Sequence, residues 1–321
     1  MRSRRDRHHH PEAVTRLAAW AVAAVLLTAG PAAGAGNGFS QALDERGRLH
    51  RVEVEPWVSG GKILGTTLRH IIVNPDGTKE SGLIPGTDDV PCDRDPALRI
   101  DPSTDEPVLV WSRHEGVGFD IFISRYHEGA WSALVPLPSS AGDDVAPQLQ
   151  VGFRNNHVVY RSGPDEQRSW SRLVLDRGTL APVFGPEPLP TSTQAPVPSV
   201  GATYSDTEPP FWDFFFASEL IRSGPTDPGI VMVWGVRDDP MPIDYAQSFQ
   251  CPAGVRDVMQ SEAGYLAGRF ALRFVSGDRF PYVLRSAGSW SEMRSIELSD
   301  KLSPDSARLM LRDMIWRGWI P

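Results

Sequence analysis

The sequence predicts an all-β chain: a β-propeller of about five or six four-stranded antiparallel blades followed by a short C-terminal α-helix. Three observations carry that expectation. The chain holds 29 glycines and 29 prolines in 321 residues, about half again the average share for the pair, which disfavours long helices. Short runs of strand-forming apolar residues end repeatedly at glycine turns. Those turns recur at a nearly constant interval, 52 residues from Gly77 to Gly129 and 49 from Gly129 to Gly178. A hydrophobic content of 40% with 22% charge stays in the ordinary globular range, which excludes intrinsic disorder and a polytopic membrane protein.

Residues 1–35 read as a signal peptide. Arg2, Arg4, Arg5, Arg7 and Arg16 form a positive start, Leu17 to Ala29 is an apolar run of 13 residues, and Ala33-Gly34-Ala35 offers small residues for cleavage. The run is shorter than the roughly 20 residues of a spanning helix and is closed by Gly30 and Pro31, which favours cleavage over the alternative of an uncleaved anchor. Asp6, Arg7 and His8 after the Arg4-Arg5 pair favour the ordinary secretory route over a twin-arginine one, and no cysteine follows the run to accept a lipid. The mature protein is therefore expected to be periplasmic or secreted, without a stable membrane anchor.

Residues 36–300 are expected to form the propeller-like domain. Its signal is a run, a glycine turn and a second run. LRHIIV (68–73) reaches Gly77 and resumes to Pro85; DIFISR (120–125) reaches Gly129 and resumes as WSALVPLP; SRLVL (171–175) reaches Gly178 and resumes to Pro190; PYVLRS (281–286) reaches Gly288. A second set keeps the interval: Pro96-Ala97-Leu98 returns as Pro147-Gln148-Leu149 after 51 residues, and Trp111 closing VLVW returns as Tyr160 closing HVVY after 49. Strands of four to eight residues between Gly, Pro and Asp clusters make hairpins, and four of them in about 50 residues make one blade. A β-sandwich is the alternative all-β arrangement. The 110 residues from Gly178 to Gly288 leave room for a further unit with an insertion, turning near Gly229. There VMVW (231–234) is read either as a second strand, by likeness to VLVW, or as a fourth, by the Gly229 spacing. FWDFFF (211–216) fits a buried strand better than an exposed sugar platform. Residues 301–321 are expected to form a helix capped by Ser303 with Pro304 and Asp305 in its first turn. Its stripe of Ala307, Leu311 and Met314 or Ile315 would pack on the propeller, and Gly318 ends it.

Charge excludes one class of function. The formal net charge is −8, and loss of five arginines and two acidic residues with the signal segment takes it to −11, which argues against nucleic-acid and anionic-membrane partners. Cys92 and Cys251, the only cysteines, could form one disulfide in an oxidising compartment or stand as two thiols. No HExxH, GxxxxGK[ST], GxGxxG or GxSxG motif is present, and the five histidines beyond residue 35 never pair at metal-ligand spacing. The polar feature that does repeat is Asp88-Asp89 and Asp143-Asp144, 55 residues apart before the blade-opening prolines, with Asp238-Asp239 in a similar setting. If these loops join blades, their carboxylates face the mouth of the central channel, where they could hold Ca²⁺ or a polyhydroxylated ligand. Each Asp capping its own turn is the alternative.

The repeated strand, Trp and turn pattern over roughly residues 95–190 and again near 270–298 resembles secreted bacterial β-propellers of the sialidase-like, Asp-box type. That box runs Ser-x-Asp-x-Gly-x-Thr-Trp between the third and fourth strands of a blade. Here Ser124 and Trp131 fall on its first and last positions and Gly129 stands one place past its glycine, with Tyr126 where the Asp would stand; Ser286, Gly288 and Trp290 match less. The resemblance implies architecture, while the arginine triad, tyrosine nucleophile and Arg-Ile-Pro segment of true sialidases have no counterpart here. Two functions follow as expectations. One is an exported binding or scaffold propeller with no catalytic set and no cofactor beyond Ca²⁺, engaging an extracytoplasmic protein or glycan. The other is a glycoside hydrolase using inter-blade carboxylates such as Asp89 and Asp144.

Overall fold

The structure, a computed structural model, describes residues 38–190 apart from 90, 91, 102, 140, 141, 153 and 165–167, and between 199 and 297 the strands together with residues 227, 229, 242 and 243. The expected signal segment, the expected C-terminal helix, Asp238, Asp239 and Cys251 lie outside the described residues.

These residues form five antiparallel sheets, each from one continuous stretch of chain. The first holds β1 (Phe39–Leu43), β2 (Leu49–Ser59), β3 (Lys62–Val73) and β4 (Lys79–Leu83). The second holds β5 (Asp93–Asp101), β6 (Glu106–His114) and β7 (Phe119–His127), with the outer place shared by β8 (Ala130–Trp131) and β9 (Val135–Pro136). The third holds β10 (Asp143–Val151), β11 (Asn155–Gly163), β12 (Ser169–Asp176) and β13 (Pro182–Pro188). The fourth holds β14 (Ser199–Ser205), β15 (Trp212–Ile221), β16 (Ile230–Val236) and β17 (Tyr245–Gln250). The fifth holds β18 (Val255–Gln260), β19 (Phe270–Ser276), β20 (Arg279–Ser286), β21 (Ser289–Trp290) and β22 (Arg294–Glu297). The first strands β1, β5, β10, β14 and β18 pack beside one another in succession, so the sheets are blades set around a common axis. The strands that contain Pro96 and Pro147 are β5 and β10, in different sheets, and five sheets in place of two rule out the sandwich.

The inferred register holds through most of the chain. Gly77, Gly129 and Gly178 lie between third and fourth strands, and Trp111 and Tyr160 lie in second strands. The fourth sheet corrects it: VMVW sits in β16, the third strand, so neither reading of it was right. FWDFFF enters β15, the second strand, and Gly229 precedes β16 rather than following it. VMVW looks like VLVW because both are inner strands of a blade, and a continuous apolar run reports burial on both faces, not position within the sheet.

Adjacent blades share their cores. Val108 and Val110 of β6 and Ile121 and Ile123 of β7 pack with Leu149, Val158, Tyr160 and Leu173 of the third sheet. The alternate residues Leu109 and Trp111 turn the other way, onto Val52 and Leu68 of the first sheet. Val159 and Trp170 carry the same alternation on to Val236 in the fourth. Full burial of each such side chain is worth about 1.5–3 kcal/mol, so the seams between blades hold much of the stability.

The two prolines that open blades also find their reason here. In β5 the pairing jumps from Arg94–Ser112 to Ala97–Val110, and in β10 from Val145–Arg161 to Gln148–Val159. Asp95-Pro96 and Ala146-Pro147 are therefore matching bulges opposite Trp111 and Tyr160. Asp95 and Ala146 both adopt φ of 54°, and a bulge is where a strand tolerates a residue without an N–H.

Candidate binding face

Antiparallel alternation brings the start of each first strand, the end of each second and the start of each third to one face of the disc. On the second blade this places Asp93, Arg113 and Asp120 in one row, since Asp93 pairs with Arg113 and Arg113 with Asp120. The matching row on the third blade is Asp144, Ser162 and Ser169.

Asp93 is fully buried. Its Oδ1 accepts the Trp111 Nε1–H at 2.7 Å, and its Oδ2 has no hydrogen-bond partner among the described residues. Burial pushes its carboxyl up to about 7, against the Trp111 hydrogen bond and the charge of Arg113. Arg113 is buried too, and its guanidinium donates to the Gly86 carbonyl, to Asp89 at 2.5 Å and to Glu115 at 3.3 Å. Asp120 is held above the usual carboxylate range, first by burial and then by the charges of Asp144 and Glu115.

The expected site residues are placed as follows. Asp88 is exposed in its turn. Asp89 is exposed and paired with Arg113, so it reaches across to the second blade's core rather than capping its own turn. Asp143 does the same from the third blade: it accepts the Phe119 N–H at 2.9 Å and pairs with Arg168 at 2.5 Å. A Cβ on Gly118 would approach its Oδ1 to 2.8 Å, so glycine lets the two blades close there. Asp144 is fully buried. Cys92, half-buried, has its sulfur 3.4 Å from the Thr66 hydroxyl and is in no disulfide among the described residues. Among the described residues no group of three or more His, Cys, Asp or Glu side chains is placed to hold a metal ion.

The structure also changes which carboxylates correspond. The bulge register matches Asp144 with Asp93, 51 residues earlier, and not with Asp89. Asp93, Arg113 and Asp120 were therefore missed. The signal was present for Asp93, which precedes Pro96 by three residues as Asp144 precedes Pro147.

The opposite face is fastened by turns. Asp44 accepts from Arg48 at 2.6 Å and lies 3.2 Å from His50 Nε2; His50 Nδ1 lies 3.1 Å from His70 Nε2. Both rings are buried, and Tyr126 and Trp131 of the second blade stand edge-on to His70 at 4.8 and 5.1 Å. Tyr126 occupies the box position expected of an Asp, where it packs against the histidine pair of the preceding blade. Between the second and third blades the buried Arg177 pairs with the buried Asp101, Nε to Oδ2 at 2.8 Å.

No protein-family model matches the chain, and no curated protein matches it. Solved structures do. The Hadza microbial sialidase Hz136 is similar at 13% identity and a TM-score of 0.49, over 83% of this chain and 59% of that one. The NanB sialidase from Streptococcus pneumoniae is similar at 8% and 0.46, over 84% and 63%. The catalytic domain of the Coprinopsis cinerea GH62 α-L-arabinofuranosidase is similar at 12% and 0.38, over 81% and 88%. The chain spans about three fifths of the length of those sialidases. By its own five contiguous antiparallel sheets of four or five strands, set with their first strands side by side, this chain is a β-propeller in fold.

Proposed function

We propose that the mature chain is an exported propeller, periplasmic or secreted, that binds a ligand through the face bearing Asp89, Arg113, Asp120 and Asp143 and performs no hydrolysis. A glycan or Ca²⁺ is the ligand class this carboxylate-rich face suits, offered by or to an extracytoplasmic partner. One observation carries the preference for binding: of the two carboxylates best suited by sequence to glycoside cleavage, Asp144 is fully buried and Asp89 is clamped by Arg113. Acid and base must both touch the glycosidic linkage or its attacking water, and a wholly buried carboxylate touches neither.

The test pairs two measurements on the exported protein. A glycan array together with calorimetric titration of Ca²⁺ is expected to give a saturable ligand, weakened by Asp120→Asn. A panel of aryl glycosides that includes an aryl sialoside is expected to give no turnover. Turnover lost in both Asp89→Asn and Asp144→Asn would establish the hydrolase instead. N-terminal sequencing of the same material tests the signal peptide; a chain still beginning near Met1 would refute cleavage.

A further inference from the structure

The carboxylate face carries a second feature that ligand binding at its centre does not use. Six large apolar side chains stand exposed at the turns between second and third strands. Val58, Ile63 and Leu64 are 57%, 72% and 47% exposed on the first blade, Val117 is 102% exposed on the second, and Ile221 and Ile230 are 46% and 42% exposed on the fourth. In a propeller all such turns open on one face, the face where Arg113 and Asp120 lie. The other exposed large apolar side chains, Leu83, Val135 and Val183, lie singly on outer strands of the first three blades and not at these turns.

The first blade's turn is an arm. β2 and β3 are the longest strands of the structure and stay paired out to Ser59 and Lys62 around Gly60-Gly61. Both glycines have positive φ, 57° and 76°, as a tight two-residue hairpin with the right twist requires. The arm's charges lie at its base, where Arg69 pairs with Glu55 and Arg51 with Glu53. From Pro56 to Thr67 the sole charged residue is Lys62, in a chain with a net charge of −8. On the fourth blade Ile221 and Ile230 are directly paired across the hairpin.

We propose that these apolar turns seat the disc face-down on a zwitterionic lipid bilayer surface. One observation chooses the bilayer over a protein, and a second chooses its headgroup. The tips belong to three separate blades and surround a polar centre, whereas a protein partner favours one continuous apolar patch. A fluid interface admits each tip independently, each gaining by the apolar area it removes from water. The exposed carboxylates of Asp89 and Glu115 share the face, which repels anionic headgroups and selects neutral ones. Among the described residues no helix is long and apolar enough to cross a membrane.

The test is flotation of the exported protein with phosphatidylcholine vesicles, beside the triple variant Ile63→Ser, Leu64→Ser, Val117→Ser. All three sites are exposed turn positions, and an unchanged melting temperature verifies that the variant folds. The expected result is co-flotation of the parent, insensitive to salt, and a drop of at least about tenfold in partitioning for the variant. Absence of co-flotation would overturn the proposal. So would equal flotation of parent and variant, or binding confined to phosphatidylglycerol vesicles and abolished by salt. A concentration-dependent dimer in sedimentation, lost in the variant without vesicle binding, would assign the tips to a protein contact instead. Each outcome is independent of whether a glycan or Ca²⁺ binds at the centre.

Discussion

His50 and His70 show how one pair of residues sets the pH response of a seam. Burial lowers both, His70 to about 3, and the groups that face them are Asp44, Arg48, Asp105 and Tyr126. Above the unfolded value of about 6.5 neither state is protonated, and the pair adds no pH dependence. Below it the unfolded chain takes up protons that the folded chain refuses. Stability is then lost by up to about 1.4 kcal/mol per pH unit for each histidine. Denaturant titrations between pH 4 and 7 should show this acid slope, shallower by about one proton in His70→Phe. Asp93 has the opposite sign. Its carboxyl is raised from 3.8 to about 7, so the folded protein keeps a proton the unfolded chain has lost, and stability declines as pH rises through that window. Asp93→Asn retains an acceptor for the Trp111 N–H and removes the buried charge. It should melt with the parent near pH 4 and several degrees above it at pH 8, with each degree standing for a few tenths of a kcal/mol in a chain of this size. Equal melting at both pH values would show that Asp93 is not strained by its burial.

At the scale of the strand, the turn that leads from the second blade into the third is a tight joint. Gly142, just before β10, has φ of 137°, and a Cβ on it would lie 2.9 Å from the Gly163 carbonyl carbon at the end of β11. Gly142→Ala should cost roughly 1–3 kcal/mol, measured by chemical denaturation, whereas Gly77→Ala, with nothing within 4 Å, should lose only the smaller cost of its positive φ. The legibility of the fold follows the same division. Strands, hairpins and the interval between Gly77, Gly129 and Gly178 were readable because a hairpin needs glycine or asparagine at fixed places and a strand buried on both faces must be apolar throughout. Bulges at Asp95-Pro96 and Ala146-Pro147 were visible as prolines but not as bulges, since the extra residue shows only in the pairing. The order of strands in the fourth sheet was not readable, because VLVW and VMVW satisfy one burial requirement from two positions. The row of Asp93, Arg113 and Asp120 was hidden for a different reason: it is assembled across three strands, and no linear spacing encodes adjacency across a sheet.

The whole disc has two unlike faces. On one, the turns are closed by aspartates: Asp44 accepts the Arg48 N–H at 2.7 Å, Asp101 the Ser103 N–H at 2.9 Å and Asp176 the Thr179 N–H at 2.7 Å. Ion pairs such as Arg177 with Asp101 tie that face from blade to blade. The other face holds the open arm and the apolar tips. Hydrogen exchange should reflect this, with amides at 58–64 and 115–118 exchanging before those at the three aspartate turns; uniform exchange across both faces would contradict it. A last consequence comes from the contiguity of the sheets. Because every blade is finished by neighbouring chain, a polypeptide delivered N-terminus first, whether from a ribosome or through a translocation pore, completes one hydrogen-bonded unit for each fifty or so residues that emerge. Each new blade then finds the exposed seam of its predecessor as a template, so assembly can keep pace with delivery without waiting for the C-terminus.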